Sequence, residues 1–481
     1  MPSAHNDHWT LHDHLGHNSL VQVLGERLRD CDPPFVLGIS GGWGSGKTSF
    51  MRKLHAYCGG AFDPPRVESP QKKPSANELS KLRADWLTKQ FGTTYQPYPV
   101  LGSKTRCQAI WFNAWEHQFE TTPLVALLHT LRDEFSRQEK AAAEGKKLLW
   151  VAGMAILDSA AAVAKGAGFS APDGLVSGIE KRGKQHEAER FDDRLASERF
   201  RTLLDAAVKT VAGEDGRLIV FVDDLDRCEG EVAFRLLEAL KLYLNTPRMI
   251  FVLGMDASHL ETVVSGVLTR ADTASPSSRA REYLQKMFQQ VFTLPMPDSA
   301  AGLIRTLIPE DLCRMTGAAL DDLVLAADRN LEHNPRKIKS FINAWHTYHS
   351  VLHRQRMQDV DWKIVFVLTY LQLFEPPLFR ALELEQPPVW SRLLAVAEAR
   401  PVAETPYCDL RAPELPDDWG AAVGPADEDL GGTLSSASER PTAPTRSRIE
   451  LRVLWPAELL TNLGIKALPN VKPHLIAVRH S

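Results

Sequence analysis

Much of what would place this chain in a function class is missing from it. Its cysteines (31, 58, 107, 228, 313 and 408) form no C-x-x-C pair and have no regular spacing. That argues against a disulfide framework, a zinc ribbon or a dithiol redox centre, and fits reduced thiols. The most apolar segment, residues 148–169 (LLWVAGMAILDSAAAVAKGAGF), is interrupted by Asp158 and Lys165. Its longest uncharged stretch, Leu148 to Leu157, falls short of the roughly 20 residues that a bilayer demands of a helix. The net charge is only −4, from 56 Lys and Arg against 60 Asp and Glu, so there is no electrostatic case for nucleic acid or an anionic membrane. No basic–aromatic groove, internal repeat, or nuclease, protease or deaminase constellation is recognisable. The opening MPSAHNDHWTLHDHLGH has no apolar signal core. Its five histidines lack the cysteine or carboxylate cage of a metal site and are expected to be exposed polar residues.

What remains is the composition of an ordinary soluble protein, with 44% hydrophobic and 24% charged residues in a chain of 481. That length suits two or three domains. The most informative stretch is Phe35 to Thr48, FVLGISGGWGSGKT. Gly41, Gly42, Trp43, Gly44, Ser45, Gly46, Lys47 and Thr48 fit the phosphate-binding pattern G-x-x-x-x-G-K-[ST], with Ser49 following. Glycines let the backbone turn its N–H groups inward, Lys47 brings a cation to the β- and γ-phosphates, and the Thr48 hydroxyl can ligate Mg2+. An apolar run before the loop (Phe35 to Ile39) and a helical pattern after it (Phe50, Met51, Leu54, Tyr57) supply the strand–loop–helix setting that this motif needs.

A second strand carries acids. Leu218 to Val222, in RLIVFVDDLDR, is continuously apolar, as a strand buried on both faces must be. It ends in Asp223, a natural Mg2+ partner, and Asp224, placed to orient or deprotonate the attacking water. Ligands of open α/β sheets bind at the carboxyl ends of the strands, where these acids and the loop are expected to meet.

Along the chain, periodicity predicts a helix over 18–31 and one near 76–91 inside a polar insertion of about 60–106. A strand and its exit over 107–116 are followed by helices over 123–138 and 192–212, with a second insertion of about 140–190 between them. Further on come a helix over 230–244, a strand over 248–254, a mobile loop at 275–279 (SPSSR), a helix over 280–291 and a short strand over 291–295. The expected organisation is a core over 1–298, a helical subdomain over 299–410, a disordered linker over 411–447 and a tail over 448–481, apolar enough to dock.

Several blocks together resemble the KAP family of P-loop NTPases. They are GGWGSGKTS (41–49), WFNAW (111–115), FVDDLDRC (221–228), FVLGMD (251–256), REYLQKMFQQVFTLP (281–295) and NPRKIKSFINAW (334–345). The resemblance implies an α/β three-layer parallel sheet of the additional-strand class, with helical insertions and a C-terminal helical subdomain. It implies ATP and Mg2+ as ligands, a switch-like ATPase that gates a protein partner, and, for bacterial members, a link to exclusion of phage and other invading elements. Many members carry transmembrane helices between the loop and the acidic strand, but 148–169 is too polar to span. A cytoplasmic protein is expected, with peripheral inner-membrane association as the alternative, and a homo-oligomer is possible. Asp256 resembles a polar sensor between γ-phosphate and water, or else caps the following helix. Arg336 resembles an arginine that senses γ-phosphate from the subdomain, or else begins a surface helix. Arg227 is either an arginine finger or the partner of Asp226 or Glu229, with the pair favoured. Asn113 can position the water, while Trp111 and Trp115 are expected in the core. The alternative to a switch is a nucleotide-stabilised scaffold with negligible turnover.

Overall fold

The computed structural model describes residues 5–60, 76–91, 107–119, 126–131, 198, 201–210, 212–243, 246–269, 276–357, 360–383 and 459–465. The apolar segment 148–169 and the linker 411–447 lie outside these residues. The chain divides into two compact units, His8–Met296, and Met1–Asp7 together with Pro297–Ser481.

In the first unit five strands, β1 (Phe35–Ser40), β2 (Cys107–Asn113), β3 (Arg217–Asp223), β4 (Met249–Met255) and β5 (Gln290–Thr293), form one sheet. Their order is β2-β3-β4-β1-β5, and every pairing is parallel. β4 therefore stands between the loop strand β1 and the acidic strand β3, which is the additional-strand arrangement. The period-2 alternation of a strand distributes the apolar run over both faces. Leu37, Ile39, Ile219, Phe221 and Val252 face Leu24 and Leu28 of helix Asn18–Asp30 and Phe50 and Leu54 of helix Lys47–Tyr57. Leu218, Val220, Val222 and Leu253 face Leu236, Leu237 and Leu240 of helix Gly230–Tyr243 and Leu260 of helix Ala257–Thr269. Each such side chain taken out of water contributes about 1.5–3 kcal/mol, so the central strands are the anchor on which the site is built.

The SPSSR stretch is not the loop that its composition suggested. Pro276 opens the helix Pro276–Met287, and Ser277 and Ser278 occupy its first turn. Proline suits that position because its fixed φ is already helical and its missing N–H has no acceptor there to lose.

The second unit is helical. Its longest helix among the described residues, Pro335–Arg354, starts where Asn334 accepts hydrogen bonds from the backbone N–H groups of Arg336 (3.0 Å) and Lys337 (3.2 Å), with Pro335 at the first helical position. Helix Trp362–Phe374 is buried without a break from Ile364 to Leu371, so it is a core helix rather than a surface one. Phe366 meets Phe341 and Trp345 with ring centroids 4.4 and 5.1 Å apart. From the tail, Leu459, Leu460 and Leu463 are buried, and Asn462 donates to the buried Asn330 at 2.9 Å, so this segment docks on the helical unit. His5 exchanges two 2.8 Å hydrogen bonds with Asn343. Of the five N-terminal histidines, His17 is buried against Phe50 rather than exposed. Among the described residues no group of three or more His, Cys, Asp or Glu is placed to hold a metal ion, and no helix is long and apolar enough to cross a membrane.

Candidate nucleotide site

The phosphate loop leaves β1 at Ser40, and the Gly41 N–H donates to the Met255 carbonyl at 3.2 Å, which ties the loop to β4. A Cβ on Gly41 would lie 2.7 Å from Ser45 Oγ, and Gly44 and Gly46 have φ of +78° and +91°. Gly44 and Gly46 therefore require glycine, and a side chain at Gly41 would have to push Ser45 aside. Gly42 has neither a positive φ nor a close neighbour. Gly46 caps helix Lys47–Tyr57, and the Phe50 N–H bonds back to the Gly46 carbonyl at 2.9 Å. The N–H groups of Lys47, Thr48 and Ser49 then have no acceptor within the helix, and with the helix dipole they make an anion site. Trp43 projects from the loop, 73% exposed.

Lys47 is buried, with Nζ 2.7 Å from the Gly41 carbonyl and 3.2 Å from Asp226 Oδ2. The Thr48 hydroxyl lies close enough to the Asp223 carboxylate to act on it, so the two residues assigned to Mg2+ meet although they are 175 positions apart. Asp223 is buried, and its Oδ1 has no hydrogen-bond partner. An orphaned carboxylate oxygen beside a threonine hydroxyl is a donor set that suits a hard cation such as Mg2+. Gly254 belongs to this arrangement, because a Cβ there would come 2.7 Å from Asp223 Oδ1.

Asp224 adopts the left-handed conformation (φ 57°, ψ 29°) at the head of the short turn Leu225–Arg227. Its Oδ1 pairs with Arg227 Nε at 2.9 Å, and its Oδ2 lies 3.4 Å from Asn113 Nδ2. Arg227 thus pairs with Asp224, not with Asp226 or Glu229. Asp226 faces Lys47 and so leaves Arg227 to the acid one helical turn back. Asn113 stands opposite Asp223 in the β2–β3 register and also donates to Glu116 at 3.0 Å. Trp111 packs its ring on Phe221 and under the Arg52 guanidinium, 3.7 Å from the ring centre. Trp115 is not a core residue. It is 45% exposed, on the turn beside Arg227.

Burial raises the Asp223 carboxyl to about 6, the adjacent Asp224 charge adds to the rise, and the neighbouring Thr48 hydroxyl opposes it. Burial also raises Asp224, against the opposing effect of Arg227. A carboxyl whose folded pKa lies above its unfolded value of 3.8 binds its proton more tightly when folded. In the metal-free protein its contribution to stability is present below about pH 4 and is lost as pH rises through about 6. Urea midpoints measured in a chelator across that window should therefore show the parent losing stability with rising pH relative to Asp223→Asn. A flat difference would remove the buried, ionising Asp223 from the account.

Asp256 caps helix Ala257–Thr269, accepting from the N–H groups of Ser258 (3.0 Å) and His259 (3.3 Å). Ser49 Oγ accepts from the Thr10 N–H at 3.1 Å. Arg336 lies in the second unit, on the first turn of its long helix, where Nε donates to Asp7 Oδ2 at 2.6 Å. The structure thus brings Gly41 to Ser49, Asp223 and Asp224 together at the carboxyl ends of β1 and β3. Asp226, expected only as a partner of Arg227, and Gly254, not considered, join them. The sequence model for the KAP family P-loop domain matches residues 18–352. No curated protein matches the chain.

Proposed function

The chain belongs to the KAP family of P-loop domains, and we propose that it binds ATP with Mg2+ at Gly41–Ser49, hydrolyses it slowly, and uses the nucleotide state to change its helical unit for a protein partner. The observation that carries this reading is the meeting of Thr48 with Asp223 beside Lys47 at the carboxyl end of the sheet. Thr48 and Asp223 would hold Mg2+, which supplies charge neutralisation on the β- and γ-phosphates when bound. Lys47 and the first-turn N–H groups bind the same phosphates. Asp224 orients the attacking water and accepts its proton, held in position by Arg227 and Asn113. The engagement of Asp224 by two partners, Arg227 and Asn113, supports slow turnover. Arg336, on a capped helix start, is the residue proposed to respond to γ-phosphate. The partner and a setting in exclusion of invading elements rest on the family resemblance.

Hydrogen exchange with ADP and with a non-hydrolysable ATP analogue tests the switch. Both ligands should protect Gly41 to Ser49. Only the analogue should protect Asn334 to Phe341, and Arg336→Ala should abolish that difference while leaving ADP affinity nearly intact. Equal exchange of Asn334 to Phe341 in the two states would reduce Arg336 to a helix-start residue and leave a nucleotide-stabilised scaffold as the better reading.

A further inference from the structure

Three aspartates, Asp223, Asp224 and Asp226, lie close together at the end of β3, and the reading above uses two of them. The third, Asp226, is the one in ion-pair contact with Lys47. Its Oδ2 lies 3.2 Å from Nζ, and the two side chains are 12% and 10% exposed. Its position is fixed from below, because it sits on the short turn Leu225–Arg227, whose Leu225 is fully buried in the sheet core. Its charge is not taken up by the next residue, since Arg227 is engaged with Asp224 at 2.9 Å. A lysine ammonium has three donors. Gly41 O and Asp226 account for two of them, at 2.7 and 3.2 Å. A phosphate oxygen arriving at Lys47 therefore meets a cation already neutralised by a carboxylate. It has either to displace that carboxylate or to settle beside a like charge, and both weaken its binding.

We propose that Asp226 is a built-in competitor of phosphate for Lys47, which lowers the affinity of the site for nucleotide and so sets how readily the site fills and empties. The proposal rests on the nucleotide-site reading above. It differs in sign from the obvious alternative, in which Asp226 is a third acid helping to hold Mg2+. A competitor, once removed, gives tighter binding with or without metal. A metal-holding acid, once removed, gives weaker binding, and only when metal is present. The competitor also acts where phosphates reach Lys47, so its removal should favour ATP and ADP and leave AMP almost unaffected.

Calorimetric titration of the full chain with ATP, ADP and AMP, in excess Mg2+ and in a chelator, separates these cases. Asp226→Asn is expected to bind ATP and ADP about tenfold tighter than the parent in both conditions, the scale of one charge-assisted contact. AMP should change little. Thermal melting supplies an independent readout, because the ligand-free variant should melt below the parent while its shift on adding ATP is larger. Asp226→Ser carries the same expectation, so a packing fault peculiar to one replacement does not decide the matter. Equal or weaker ATP binding in both variants overturns the proposal, and weakening confined to the Mg2+ condition reassigns Asp226 to the metal. If the parent itself binds ATP no better than Lys47→Ala, the nucleotide-site reading fails and the proposal falls with it.

Discussion

Lys47→Ala is expected to lower MgATP affinity by on the order of 100-fold or more, the largest binding effect of any single replacement in the chain. The change does more than delete a cation from the β- and γ-phosphates. Lys47 is the ion-pair partner of Asp226, so the alanine leaves a poorly solvated carboxylate facing the place where phosphate must go. Removing one member of such a pair costs more than the pair is worth, because the remaining charge is uncompensated. Part of the loss should therefore return in the double variant Lys47→Ala with Asp226→Asn. The loop backbone should survive the substitution, since its turns depend on Gly44 and Gly46 and on the Gly41–Met255 hydrogen bond rather than on the lysine. Calorimetry on a variant that still melts cooperatively is the check. Unchanged affinity would mean that ATP binds somewhere else or not at all.

Asp224→Asn is expected to keep MgATP binding and to lose turnover by about 100-fold or more, the usual scale of a lost general base. Binding survives because the Thr48–Asp223 pair and Lys47 are untouched. The amide keeps the shape of the carboxylate but cannot accept the proton of the attacking water. It also gives up the charge that anchors Arg227 at 2.9 Å, so Arg227 should become mobile in the variant. Asp223→Ala should do the reverse, losing the Mg2+-dependent part of the affinity because it removes the buried, unpartnered carboxylate oxygen that would hold the metal. Steady-state phosphate release measured beside calorimetry separates the two. Parental turnover in Asp224→Asn would displace Asp224 as the base.

The sheet and its loop were legible in the sequence because they depend on local rules. A strand buried on both faces has to be continuously apolar, and the run from Leu218 to Val222 is fully buried. A loop that turns through positive φ needs glycine, and Gly44 and Gly46 are where it does so. Helix starts were less legible. Pro276 reads as a loop residue from composition, although a helix tolerates proline in its first turn. The polar pairings were not legible, because they are decided by which side chain faces which across the sheet edge. Asp226 and Arg227 are adjacent in sequence and of opposite charge, yet the turn sends one to Lys47 and the other back to Asp224. The contacts of Thr10 and Asp13 with helix Lys47–Tyr57 were not legible for the same reason. These contacts, Asp13 with the buried Lys53 at 2.7 Å and Thr10 with Ser49, bring together residues about 40 positions apart with no local signal. Hydrophobicity alone puts Trp115 in the core, but it follows the end of β2, where the chain has already left the sheet.

The central claim is that Mg2+-dependent ATP hydrolysis takes place where Lys47, Thr48, Asp223 and Asp224 meet. Its most direct test is phosphate release from ATP by the purified chain, with and without Mg2+, measured beside Lys47→Ala and Asp224→Asn. A slow release that a chelator abolishes, and that both variants reduce to background, is the result that the geometry predicts. Tight ATP binding with no release above the Lys47→Ala background would contradict it and leave a nucleotide-stabilised scaffold. Release that persists unchanged in both variants would place the chemistry elsewhere.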